Sequence, residues 1–270
     1  MSIGFLLLRT YMQVLSAIAP SRAINNATSI FFSPKQHEPK EWENEAEKKG
    51  ERVWIDENIS CLVWGKGEPV LLMHGWEGRA TQMSVLTPYL ADNYKVIALD
   101  APGHGVSKGK TSTPHDFIKA IFKAQEKFGE FKAIVGHSMG GGCSVYSALE
   151  GLKVNKIVSI SGPAYFKDVV SLFGKFIGLG GTTHQKFLNK VEQHVDLTFE
   201  QLSLAKRINP EKYSILIIHD AEDKEVPYNQ ALKYEDILGK DNVMTTTGLG
   251  HRQIMRDNKV LQKVADFIND

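Results

Sequence analysis

The pentapeptide Gly136-His137-Ser138-Met139-Gly140 sets a serine between two glycines in the pattern G-x-S-x-G. A serine that must sit on a sharp, strained turn with its hydroxyl exposed needs neighbours without bulk two positions to either side. Such a hydroxyl is a poor nucleophile at neutral pH and acts only with a base in hydrogen-bond reach, itself oriented by a carboxylate. The glycines admit a rival reading as a phosphate-cradling loop, but no Lys-Ser or Lys-Thr follows them as a P-loop demands. No CxxC or HExxH occurs, and no cluster of His, Cys and carboxylates has metal-ligand spacing, so no metal or other cofactor is implied.

The flanking elements decide whether the pattern has the right setting. "KAIVGHS" reads as a strand and "MGGGCSVYSALEG" as a helix, so Ser138 falls on the strand-to-helix turn that this motif requires. Gly141 and Gly142 would each cost a helix about 1 kcal/mol relative to alanine, a penalty that makes sense where helix and sheet approach closely. "PVLLMHG" is a continuous apolar run of the kind a strand buried on both faces shows. Helices over about 81–92 and 114–128 alternate with the strands "YKVIALD" and "KAIVGHS", and "NKIVSISG", "YSILIIHD", "NVMTTTG" and a terminal helix continue the series. Such βαβ alternation predicts a mostly parallel sheet. Ahead of it, "RVWID" and "ISCLVWG" predict a hairpin around Asp56-Glu57-Asn58. The strand rhythm lapses between Pro163 and Pro210, which predicts a small helical cap over one end of the sheet.

At this level the chain resembles the serine-type α/β-hydrolase fold family, in its lidded esterase-like branch. The likeness covers about residues 50–270 through five motifs in order: "LLMHGWEG", "LDAPGHGVS", the serine turn, "HDAEDKEVP" and "GLGHRQI". It implies an eight-stranded, mostly parallel sheet flanked by helices, with the cap inserted after strand 6. It further implies a triad in the chain order Ser, acid, His. Ser138 is then the nucleophile, Asp223 the acid in a family-like D-x-x-V-P context, and His251 the base. Asp220 and Glu222 are rival acids in the same "DAED" stretch. The main-chain N–H groups of Trp76 and Met139 are the implied oxyanion donors. Trp76, Tyr165, Phe166 and Phe173 are candidate pocket residues, set against the alternative that the cap's aromatic face only attaches the cap to the body. His74, His104, His137 and His219 are expected to satisfy buried polar groups, and Cys143 to pack as a small hydrophobe.

The whole chain bounds the remaining choices. Its 270 residues and 42% apolar content predict a sizeable core, and a formal charge of +1 gives no electrostatic reason to expect nucleic acid as a partner. Two cysteines, Cys61 and Cys143, read as buried free thiols of a cytoplasmic protein. Residues 1–19 contain Arg9 and too short an apolar run for a membrane span, so they predict a helix packed on the body, with peripheral membrane attachment as the alternative. The charged, proline-punctuated stretch from Ser33 to Arg52 reads as a solvated connector with one helix around Trp42 to Lys49. The expected layout is an N-terminal helical extension and linker at 1–49 and a hydrolase domain at 50–270, with the cap at about 163–210. The expected activity is hydrolysis of small-molecule carboxylic esters, thioesters or lactones with small to medium acyl groups. The alternatives are a C–C bond hydrolase or acyltransferase with the same triad, and a non-catalytic ligand-binding protein; the oligomeric state is not readable.

Overall fold

The computed structural model describes residues 3–270, without the side chain of Ile3. An eight-stranded sheet runs through its centre in the order β1-β2-β4-β3-β5-β6-β7-β8. β1 (Glu51–Trp54) and β2 (Ser60–Trp64) form the antiparallel hairpin, and β2 also runs antiparallel to β4 (Tyr94–Asp100). All other pairings are parallel, through β3 (Glu68–Met73), β5 (Phe131–His137), β6 (Val154–Ile160), β7 (Ser214–Asp220) and β8 (Val243–Thr246). This is the mostly parallel, eight-stranded α/β-hydrolase architecture.

Two-residue periodicity splits the core into two layers. Leu71, Met73, Ile97, Leu99 and Ile134 face one side of the sheet, and Val70, Leu72, Val96, Ala98 and Val135 the other, all fully buried. The first side is covered by α6 (Pro114–Phe128) and α7 (Met139–Leu149) through Phe117 and Val145. The second is covered by α4 (Ala80–Met83), α5 (Thr87–Leu90) and, after α10 (Asn229–Leu238) and α11 (Gly250–Gln253), by α12 (Asn258–Asn269). α6 begins on a capping box between Thr113 and Asp116 with Pro114 at its first turn, a strong local start signal.

The helix predicted over about 81–92 is broken into α4, a 3-10 turn and α5. Pro88 has no N–H to give the carbonyl of Ser84, which accepts instead from Thr87 Oγ1 at 2.8 Å.

Between β6 and β7 lie α8 (Phe166–Phe176) and α9 (Gly181–Val195), joined by a turn in which Gly178 and Gly181 adopt φ of +96° and +52°. α1 (Ile3–Ile18) and α2 (Pro20–Phe32) pack onto this pair. Phe31 of α2 sits 4.9 Å from the Phe173 ring and 6.3 Å from Phe187. The first two residues of the predicted N-terminal helix lie outside the described residues. The connector differs from its predicted solvated character, because α3 (Glu41–Lys49) is docked by a buried carboxylate. Glu43, only 2% exposed, accepts from Thr81 Oγ1 at 2.9 Å and faces Arg79 Nε at 3.8 Å. Charge composition did not reveal this, since the partners are 36 and 38 positions away in sequence.

Candidate active site

Ser138 stands between the end of β5 and the start of α7 with φ 54° and ψ −120°, a conformation non-glycine residues rarely adopt. The glycines around it are steric requirements. A Cβ on Gly136 would collide with the Gly140 carbonyl oxygen, and one on Gly140 with the carbonyl oxygens of Met73 and His74. The first turn of α7 is thereby pressed against the end of β3. The loop after β3 also abuts the serine, since a Cβ on Gly75 would stand 2.9 Å from Ser138 Cβ. Met139 contributes the first N–H of α7, and the Trp76 N–H has no main-chain or side-chain acceptor among the described residues. Helix N-termini and free main-chain donors of this kind favour anions.

Asp223 comes from the loop after β7, and His251 from α11, which follows β8. His251 Nδ1 lies 2.7 Å from Asp223 Oδ2. A carboxylate accepts, so Nδ1 carries the proton and Nε2 keeps its lone pair. Asp223 Oδ1 accepts from the N–H groups of Glu225 (2.8 Å) and Val226 (2.9 Å). Burial by itself would raise the Asp223 pKa, but the His219 Nε2–H 3.4 Å away and the hydrogen bonds from His251 and the Val226 N–H hold it well below the usual carboxylate range. The rival acids do other things. Asp220 is fully buried and accepts from Thr246 Oγ1 at 2.7 Å and the Leu249 N–H at 3.1 Å, which ties the two acid- and histidine-bearing loops together. Glu222 is exposed.

His251 reaches the serine turn through its neighbour. The Nε2–H of His137, the residue before Ser138, donates to the His251 carbonyl at 2.8 Å, and the two rings lie 4.9 Å apart. Among the described residues no hydrogen bond joins Ser138 Oγ to the imidazole. Catalytic hydrogen bonds of this type are often long before substrate binds.

The other histidines satisfy buried groups. His74 donates from Nδ1 to the Gly75 carbonyl at 2.6 Å and accepts the Ala101 N–H at Nε2, which fixes the tautomer. His104 donates from Nδ1 to Pro102, and His219 from Nε2 to Val226. Asp100, which the sequence reading left without a role, is the brace beneath this edge. Its carboxylate accepts from Arg52 and from the Ala80 N–H, both at 2.7 Å, which pins the Trp76 loop to the end of β4. Burial pushes its pKa up, and Arg52 opposes that. Cys61 and Cys143 are free and buried, and burial raises both thiols far above neutrality. No group of three or more His, Cys, Asp or Glu among the described residues is arranged to hold a metal ion.

These buried imidazoles make folding sensitive to acid. Burial lowers His104 to about 4 and His137 to about 3. In the unfolded chain each takes up its proton near pH 6.5, so the unfolded state binds more protons throughout the interval below that, and stability rises with pH across it. Urea unfolding is expected to lose about 2 kcal/mol per ring between about pH 7 and about pH 5. A stability unchanged over that range would contradict the assignment.

The candidate pocket residues separate into groups. Phe166 lines a cavity of about 20 Å³ with Met139, Gly142, Pro163 and Leu204. That volume holds about one water molecule. Trp76 packs instead on His104 (ring centroids 5.1 Å apart) and Phe117 (6.3 Å). Phe173 belongs to the aromatic contact with Phe31 and Phe187, and Tyr165 lies beneath the ammonium groups of Lys233 and Lys206.

Comparison with known proteins agrees with the architecture. A family model described as alpha/beta hydrolase fold matches residues 68–207, and the chain belongs to that family. It is 34% identical over 104 residues to "Serine hydrolase-like protein" of Danio rerio, a match covering 36% of this chain and 32% of that protein. It is 27% identical over 167 residues to pimeloyl-[acyl-carrier protein] methyl ester esterase of Legionella pneumophila (strain Lens), covering 59% and 63% respectively. In both cases the match spans less than two thirds of the relative. Among solved structures, Pyrococcus furiosus esterase Pf2001 superposes with a TM-score of 0.63 at 18% identity, over 88% of this chain and 98% of that one.

Proposed function

We propose that this protein is a serine hydrolase that cleaves carboxylic esters, thioesters and lactones among them, through an acyl-enzyme on Ser138. His251 Nε2 takes the hydroxyl proton as Ser138 Oγ bonds to the substrate carbonyl carbon. The oxyanion that forms is held by the N–H groups of Met139 and Trp76. As the tetrahedral centre collapses, His251 returns the proton to the departing alcohol or thiol. Water then repeats the sequence on the acyl-enzyme and releases the acid. Asp223 keeps the imidazole in the Nδ1–H form and stabilises its positive charge. The observation that carries this reading is the 2.7 Å bond between Asp223 and His251, anchored through His137 next to a serine in a strained turn.

The cavity beside Met139, with room for about one water, admits an acyl chain only as its walls yield, and Phe166 is the wall that would limit chain length. Phe166→Ala is expected to raise kcat/KM for medium-chain relative to acetyl esters by about tenfold, within the range one or two pocket methylenes contribute. A panel of activated esters and thioesters of increasing acyl length, run on the wild type and this variant, tests both class and pocket. An unchanged chain-length profile would remove Phe166 from the acyl site. No turnover of any ester or thioester would overturn the function itself.

A further inference from the structure

α1 is apolar on two faces. Met12 and Leu15 are buried and Leu8 is half-buried beside them, which accounts for the inner face. Leu7, Tyr11, Val14 and Ile18 follow at i, i+4, i+7 and i+11, so the helical period places them in one narrow row. That row faces solvent: the four residues are 67, 53, 54 and 75% exposed. At 1.5 Å per residue it is about 16 Å long. The Phe5 ring meets Phe176 of α8 at 4.3 Å on the other side of the helix, so α1 is held to the cap by its inner face and the row is left uncovered. Scattered surface apolar residues are ordinary, but a contiguous set marks an interaction surface.

The surrounding charge selects the occupant. Residues 1–37 carry Arg9, Arg22 and Lys35 and no carboxylate. The cap helices α8 and α9 carry Lys167, Lys175, Lys186 and Lys190 against two carboxylates, Glu192 and Asp168, the latter paired with Lys233. In a chain of formal charge +1, the N-terminal segment that carries the row and the two cap helices it packs on are therefore the net positive part. A second copy of the chain would bring like charges together on pairing through this face. An exposed apolar row on a net positive part of the molecule suits a helix lying in a bilayer interface that carries anionic headgroups. No helix of the described residues is long and apolar enough to cross a membrane.

We propose that α1 docks through this row in the plane of an anionic phospholipid surface. This inference does not depend on the hydrolase reading. The full-length protein is tested by co-sedimentation with phosphatidylcholine vesicles, with and without phosphatidylglycerol, at low and high salt. Binding is expected on the anionic vesicles, weaker by at least about tenfold on pure phosphatidylcholine and weakened by salt. The triple variant Leu7→Gln/Val14→Gln/Ile18→Gln changes only exposed positions and should keep the wild-type circular dichroism spectrum while losing at least about tenfold in vesicle affinity. Absence of binding to anionic vesicles, or binding indifferent to the three substitutions, overturns the proposal. Light scattering without lipid covers the remaining occupant: a wild-type dimer that the variant turns into a monomer would assign the row to a second copy and likewise overturn it.

Discussion

Ser138→Ala is expected to lower kcat by about 10⁶-fold where chemistry limits the rate, the size of loss seen when a triad nucleophile is removed. Folding should barely change. Alanine pays the same penalty as serine for φ 54°, and Ser138 Oγ makes no hydrogen bond whose loss would register. The residual rate should come from the Met139 and Trp76 donors and from binding alone. Steady-state turnover of an activated ester, with thermal melting as the control for folding, checks this. A variant that melts like the wild type and still turns over substrate at a comparable rate would exclude an acyl-enzyme on this residue.

The second large effect falls on the acid. Asp223→Asn is expected to lower kcat by about 10⁴-fold, because a carboxamide can no longer hold His251 with its proton on Nδ1. The neighbouring substitution Asp220→Asn makes the comparison sharp. Asp220 meets Thr246 and the Leu249 N–H, not the imidazole, so its loss should cost about 1–3 kcal/mol of stability, while kcat at a temperature where the variant is folded should change little. Measuring kcat and urea midpoints for both variants separates the two roles. If the catalytic loss followed Asp220, the assignment of the acid would be wrong.

The contrast between these two aspartates shows how far residue patterns reach. Ser138 could be read directly, because its requirement is local: glycines at two flanking positions and a strand followed by a helix. Asp220, Glu222 and Asp223 lie within four positions on one loop, and what distinguishes them is direction. One points at Thr246 across the loop pair, one at solvent and one at His251, and only the folded path of the chain sets that.

Aromatic spacing in the cap had a similar limit. Helical period groups Phe166 and Phe173, seven positions apart, on one face of α8 and leaves Phe187 to the next helix, yet it does not say what meets them. All three receive Phe31 from the N-terminal extension, and Phe166 also reaches the cavity at Met139. Glu43 is the clearest case of information missing from composition. In a stretch crowded with Lys and Glu, its burial follows from a pocket formed by Thr81 and Arg79 on the other side of the hairpin. Through Ala80 and Asp100 that contact adjoins the loop that carries Trp76, so a segment read as a tether helps to hold that loop in place.

Intact-mass analysis after incubation with a fluorophosphonate probes the central claim most directly. One covalent equivalent is expected, mapped to Ser138 by peptide sequencing, absent in Ser138→Ala and strongly slowed in His251→Ala. No adduct on the wild type, or an adduct of equal yield in Ser138→Ala, would contradict it.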